Sequence, residues 1–460
     1  MAGYALLTPE ILLVVGALWA LFAEWLPGGD RGAAWFGAIV SAGAAVGAAL
    51  SGTGGESPFG ALLVFDGPAR LARVAVAVLS TLWLLWTAGR GRGRVREAVA
   101  LALFAATGAM LMAGASELIT LVLAVELATI PAYVLMGYHR TDGRGLEGAL
   151  KYFLLSMLTS LVMIYGFSFV YGLSGTTVYS HIDLTHAGSL GLVAVLLSLV
   201  GMFAKLSAAP FHFWTPDAYE GADPWAVAFV STVPKVAGAI AIVRLLSALA
   251  PGVAATSAVV LTIAGASMIL GNLAALTQTD MRRLMAYSGV AHTGYLLLGA
   301  SALASQGFLA AVFYSVAYAA PSLAVMLVAA EEGSLLTDFD GLAQRRPATA
   351  WAIVVLLLSL IGIPPLAGFF GKLGLFAAAL SHGGPAFTTI VVVGVAMSVV
   401  SAGYYLRIVR AMFFGIADEG RERAKANPVA SLALAACVLA VLALGLAAGP
   451  VLNSLGAIAH

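Results

Sequence analysis

The residues best suited to chemistry in this chain are charged groups set where charge is least expected. Four of its five lysines, Lys151, Lys205, Lys235 and Lys372, lie inside or at the mouth of apolar stretches, and only Lys425 sits in a polar loop. Glu126 lies in the middle of "LITLVLAVELATIPAYVLMG", with no polar residue nearer than Thr129. The eighteen arginines behave differently: most flank apolar stretches, and Arg244 is the clearest exception. Arginine stays charged at any reachable pH, whereas a desolvated lysine can release and retake a proton near neutrality. A charged lysine at the centre of a bilayer costs about 2.5–3.5 kcal/mol on insertion scales. Four would together cost on the order of 10 kcal/mol, as much as the stability of a whole domain. Partners or water must offset that, and a buried carboxylate such as Glu126 is one candidate partner. The chemistry these residue types suggest is proton exchange.

Each group also has a plainer reading. Lys151, two or three residues inside its apolar run, could snorkel to the surface. Lys235 and Glu126 are too central for that. His292, about ten residues into its run, could relay protons or act as a hydrogen-bonded packing residue. His212 in "APFHFWTPDAYEGA" stands beside Asp217 and Glu220 in a stretch that either gathers protons or caps a broken helix. His139, His181, His186 and His382 read as solvated. No spacing of His, Cys, Asp and Glu suggests a metal or haem site, and no glycine-rich loop stands in a strand–helix context for phosphate.

These groups must be positioned by helices in a membrane. The chain has 460 residues, 61% hydrophobic and 10% charged, against about 25% charged in an ordinary soluble domain. Its net charge of +1 gives no reason to expect nucleic acid, and the lone Cys437 excludes a disulfide framework. About fourteen apolar runs reach the roughly 20 residues that span a bilayer, which predicts an all-α polytopic membrane protein. The first, with Glu10 and no basic leader, reads as a membrane helix rather than a cleaved signal. Arginine-rich loops at "GRGRGRVRE", "YHRTDGR", "DMRR", "AQRR" and "ADEGRERAK" alternate along the chain, which predicts one inner face for all five and both termini outside.

The order of runs divides the chain. Residues 1–95 carry three spans, 96–253 segments 4–8, 254–416 segments 9–13, and 417–460 a last helix. The two five-helix units would be inverted relative to each other. The fourth run of each carries a lysine near a proline, Lys205 with Pro210 and Lys372 with Pro364 and Pro365. Broken helices at matching places in two halves point to an ion pathway. Segment 8 holds a third such pair, Pro234 and Lys235 in "STVPKVAG", where a loosened backbone could admit water to the amine.

In "VLAVELATIPAYVLMGY", "EGALKYFLLSML", "FAKLSAAPFHFWTPDAYEGA", "STVPKVAG", "RRLMAYSGVAHTGY" and "GIPPLAGFFGK", the chain resembles the antiporter-like membrane subunits of respiratory NADH–quinone oxidoreductase (complex I). These are kin to Mrp-type cation/proton antiporters, and the likeness runs over essentially the whole length. The proline–lysine of "STVPKVAG", Lys372 and the lack of a long lateral helix match the N-type branch. The resemblance implies a proton relay. Glu126 would pair with Lys205, Lys151 would bring protons from the cytoplasmic side, Lys235 would be the central carrier, and Lys372 would pass the proton outward, with His292 between the last two. It implies further that this chain binds no cofactor, while NADH, FMN, iron–sulfur clusters and quinone belong to other subunits. The partners implied are the M-type and small K- and J-type membrane subunits of a plasma-membrane complex. The alternative is an Mrp-type antiporter or membrane-bound hydrogenase subunit with the same helix plan.

Overall fold

The computed structural model describes residues 2–22, 29–52, 57, 59–90, 95–138, 143–416 and 427–456. Glu56, Arg92, Arg94, His139, Arg140, Lys425 and the rest of 417–426 lie outside the described residues, and with them much of the loop charge that orients the chain in sequence.

Apolar runs without internal partners for backbone groups can cross a bilayer only as helices or closed barrels, and here they are helices. The first three are α1 (Thr8–Phe22), α2 (Gly29–Leu50) and α3 (Gly67–Arg90). There follow α4 (Arg96–Gly114), α5 (Leu118–Met136), α6 (Gly143–Ser174), α7 (Gly188–Leu206), α8 (Trp214–Gly221), α9 (Pro224–Val230) and α10 (Val233–Leu249). The second half holds α11 (Ala255–Ala275), α12 (Met281–Ser301), α13 (Ser305–Glu332), α14 (Leu342–Arg345), α15 (Pro347–Ile361), α16 (Ala367–His382) and α17 (Pro385–Phe414). The last two are α18 (Pro428–Leu446) and α19 (Ala448–Gly456). The described residues contain no β-strand, only the isolated bridges Leu63–Ala115, Glu117–Val178 and Asp280–Leu335.

Twelve of the described helical stretches are long and apolar enough to cross a membrane. The runs expected at 284–302 and 347–380 are not among them. The first is α12, a 21-residue helix that opens with Arg282 and Arg283 and keeps His292 inside. The second is divided between α15 and α16.

The divisions have local causes. After Lys205 and Leu206 the chain turns at Ser207, which takes the left-handed conformation and donates its N–H to Ala204 and Phe203. After Ile361, Gly362 does the same with φ +96°, a conformation that costs glycine nothing, and closes onto Leu358 and Ser359. Ala209–Pro210 and Pro364–Pro365, both cis, follow the two turns. A third division falls at Ser231–Thr232, between α9 and α10. Pro234 has no N–H to give to Val230, so it sits in the first turn of α10, where proline is tolerated.

The centre of the protein is α9, α10 and α13. Within the most apolar windows of Pro224–Leu249 and Ser305–Glu332, 94% and 89% of residues are buried, against 22% for Pro385–Phe414. Buried and partly buried ion pairs tie helix ends together. Arg73 on α3 clasps Glu10 on α1. Arg244 on α10 reaches Asp66 at 2.5 Å and the carbonyl of Ala113 at 3.0 Å. Glu331 and Glu332 at the end of α13 hold Arg345 and Arg346 just before α15.

Candidate functional site

All six residues singled out by type and position are described; they lie on helices from α5 to α16, five inside the bundle and Lys151 at its edge. Lys205 lies in the last turn of α7, half-buried. Its Nζ donates to the Tyr133 hydroxyl at 2.9 Å and to Ser156 Oγ at 2.6 Å. Glu126 on α5 accepts from Ser160 Oγ at 2.7 Å through Oε1, while its buried Oε2 has no hydrogen-bond partner. Ser156 and Ser160 are one turn apart on α6, about 6 Å along the axis. Lys205 and Glu126 thus bind the same serine face with no direct ion pair between them.

Lys151 is at the mouth of this region. Its half-exposed amine pairs with Glu147 at 2.9 Å and Asp217 at 3.0 Å, and Asp217 also holds Arg283 at 2.8 Å. Burial raises the proton affinity of the Asp217 carboxyl, but the bonds from Lys151 and Arg283 outweigh it and hold the group below the usual carboxylate range. Lys151, Glu147 and Asp217 line an open vestibule of about 560 Å³ with Glu220, Asp280, Arg282 and Asp338. His212 stands apart: it is buried, Nδ1 lacks a partner, and burial lowers its proton affinity.

Lys235, 7% exposed, is in the first turn of α10, and its Nζ has no hydrogen-bond partner. The ring of Tyr219 lies 5.7 Å away. The amine faces a cavity of about 20 Å³ lined also by Leu206, Gly289, His292, Thr293 and Tyr318. A water needs about 10–15 Å³ on this measure, so there is room for one. Gly289 creates that room: a Cβ there would stand 3.1 Å from both Lys235 Nζ and Tyr318 Oη. The helix dipole makes the contrast with the other lysines physical. Lys205 is in a last turn, and Lys372 donates to the carbonyl of Ile361 at the end of α15, both places that favour a cation. Lys235 is at a helix start, where a cation gains nothing.

His292 shares the cavity wall with Lys235. Its Nδ1 is 2.6 Å from the Tyr314 hydroxyl and its Nε2 3.2 Å from that of Tyr405, which in turn meets Ser288 Oγ at 2.5 Å. Lys372, 4% exposed, donates to Ile361 O at 2.9 Å and Ser398 Oγ at 3.2 Å, with its Nζ 4.5 Å from the centre of the Tyr295 ring. Ser398 continues to the Tyr295 hydroxyl at 3.2 Å. His292 therefore borders Lys235 directly and reaches toward α17 through tyrosines, with no hydrogen bond of its own to Lys372.

The hydroxyl sleeve of Tyr133, Ser156, Ser160, Tyr295, Tyr314, Ser398 and Tyr405 was not singled out in the sequence. Ser156 and Ser160 carried the one usable signal, an i, i+4 polar pair on an apolar helix. Hydroxyls both donate and accept, so the arrangement sets exchangeable protons through an otherwise apolar interior.

A sequence profile described as NADH:quinone oxidoreductase/Mrp antiporter, TM, matches residues 115–398, a range holding all six groups. NADH-quinone oxidoreductase subunit N of Rhizorhabdus wittichii is 34% identical over 98% of this chain and 97% of its own. That of Sphingopyxis alaskensis is 36% identical over 96% of each. A chain of respiratory complex I from Thermus thermophilus superposes with a TM-score of 0.84 at 32% identity, covering 97% of this chain and 99% of that one. A chain of the Mrp complex from Dietzia superposes equally well at 21% identity, which speaks to the fold alone. The profile match and the full-length relatives make this chain a member of the NADH:quinone oxidoreductase/Mrp antiporter family of transmembrane proteins.

Proposed function

We propose that this chain is the N subunit of an NADH–quinone oxidoreductase and translocates protons through Lys151, Glu126, Lys205, Lys235, His292 and Lys372. The observation that carries the reading is Lys235: a buried amine without a partner, beside room for one water and an imidazole. A purely structural lysine would be paired. In this reading Lys151 and the vestibule take up protons from the cytoplasmic face, and both termini lie on the other side. Residues 96–253 and 254–416 are inverted five-helix repeats of a chain of about fourteen spans, each broken beside its lysine. The first three helices and the last complete the scaffold.

The drive is electrostatic. An opposite charge a few ångströms away contributes roughly 4 kcal/mol at an effective dielectric of about 20. That is about three powers of ten in an equilibrium. Approach or withdrawal of the Glu126 carboxylate therefore decides whether Lys205 keeps its proton or passes it toward the Lys235 cavity. Quinone reduction in neighbouring membrane subunits supplies the change of state, and NADH, FMN, iron–sulfur clusters and quinone stay with those other subunits. The subunit N relatives favour this over an Mrp antiporter, whose likeness is one of fold.

The test is to replace Lys205 or Glu126 by alanine in the native membrane and to record NADH–quinone turnover and vesicle acidification. Both variants lose most of the acidification; if assembly, turnover and acidification all stay at the unmodified level, the relay assignment falls. A gentler probe is Gly289→Ala. Its methyl crowds the Lys235 amine and takes the space of the water, at a cost of about 1–3 kcal/mol for an unmade hydrogen bond, or about tenfold in rate. Acidification measured on assembled complex should drop accordingly, and an unchanged rate would mean the cavity carries no proton.

A further inference from the structure

One helix of eight residues, α8, contacts Lys151 and Lys235 and the immediate neighbours of Lys205, and we propose that it is the strut that fixes the three lysines relative to one another, with Trp214 and Tyr219 as its positioning residues. The proposal rests on the relay reading above. At one end, the indole Nε1 of Trp214 donates at 3.0 Å to the carbonyl of Ala204, the residue before Lys205. The same indole stacks on Tyr152 at 4.2 Å and 15°. Tyr152 packs edge-on against Tyr133, whose hydroxyl accepts from the Lys205 amine. Trp214 therefore holds the backbone just before Lys205 and, through Tyr152, the tyrosine its amine is bound to. One turn further, Tyr219 presents its ring to the Lys235 amine at 5.7 Å and meets Trp214 edge-on at 6.3 Å. Between them Asp217 binds Lys151 and Arg283, and Glu220 binds Arg283 again at 2.7 Å.

α8 is held where it is on every side. Thr215 Oγ1 donates to Ser207 Oγ at 2.7 Å, which pins it to the turn after α7. On α6, Gly148 lets the two backbones touch: a Cβ there would lie 3.2–3.3 Å from Asp217 O, Ala218 Cα and Gly221 Cα. Arg283 fastens the opposite flank to α12. An eight-residue helix is about 12 Å long, so it sets the spacing of a surface lysine and two interior ones with a single rigid piece. Simple core filling accounts for the burial of two aromatic rings. It does not account for the indole N–H on the Ala204 carbonyl, next to Lys205, or for an amine over the Tyr219 face.

The test compares Trp214→Leu, Trp214→Phe, Tyr219→Leu and Tyr219→Phe in the full complex in its native membrane, with Lys205→Ala as control. NADH oxidation by an artificial acceptor, turnover with quinone, the apparent KM for quinone and protons moved per NADH are measured on each. The leucine variants lose about fivefold in proton translocation, the worth of one hydrogen bond or ring contact, at unchanged KM and unchanged artificial-acceptor rate. Tyr219→Phe keeps the ring and restores translocation, and Trp214→Phe keeps the stack and restores part of it. If the leucine variants translocate normally while Lys205→Ala does not, the strut is overturned and the relay stands; if Lys205→Ala also translocates normally, the relay reading has failed. If Trp214→Leu does not assemble, the Tyr219 pair decides alone. Equal loss in Tyr219→Leu and Tyr219→Phe overturns the positioning role of the ring.

Discussion

Lys235→Met abolishes NADH-driven proton translocation and leaves the protein as stable as before or more so. The two halves of this result come from the same observation. The Lys235 amine is buried, unpartnered and set in the first turn of α10, where the helix dipole opposes a cation. A polar group left unmade in such a place costs about 1–3 kcal/mol, more when charged. Methionine fills nearly the same volume without that cost, so thermal unfolding of the solubilised chain should move up or stay, as is usual when a functional group held at the expense of stability is removed. Translocation should fall to background, because no other titratable side chain but His292 lines the cavity that joins α7 to α12 beyond the tyrosines Tyr314 and Tyr318. Vesicle acidification and a melting curve on the same preparation check both. Normal acidification would remove Lys235 from the relay. A melting temperature lowered by several degrees would mean that the amine has a structural partner.

Much of this site could be read from the sequence because the physics that makes it useful also makes it conspicuous. A lysine in an apolar run stands out at once, and the contrast with arginine gives it a meaning. The turns after Lys205 and Ile361 follow from the proline content of the runs that contain them. The break beside Pro234 was legible only to within two residues: Pro224–Leu249 is one membrane-length stretch divided at Ser231–Thr232, and Pro234 sits in the first turn of α10 just after the division. What sequence could not supply was partners. Tyr133 and Lys205 are 72 residues apart, His292 and Tyr405 113. Which helix faces meet depends on packing angles that a nearly uniform apolar surface does not encode. The expected Glu126–Lys205 pairing shows the same limit. Both side chains reach the region, but each is bound to its own serine on α6, and only a helical-face count over Ser156 and Ser160 would have suggested it.

The largest effect on stability should come from Arg73→Met on α3. Arg73 is 2% exposed and grips Glu10 with two parallel bonds, Nε to Oε1 at 2.6 Å and Nη2 to Oε2 at 2.7 Å, while Nη2 also reaches the carbonyl of Leu6 at 2.5 Å. The ring of Phe65 covers the guanidinium at 5.1 Å. A bidentate pair in this setting is well satisfied as it stands, but removing one partner strands the other charge and costs about 3–5 kcal/mol. Arg73→Met should therefore melt well below the parent in detergent and accumulate poorly in the membrane, although the residue touches none of the relay groups. The double variant Glu10→Leu, Arg73→Met removes both charges and should recover most of the loss, since an apolar pair of similar volume is often neutral or better in such a site. Proton translocation per NADH, measured on whatever assembles, should be unchanged in the double variant. Recovery of stability without recovery of translocation would place Glu10 and Arg73 in the proton path itself, and no recovery of either would mean that α1 and α3 depend on the charges for their register.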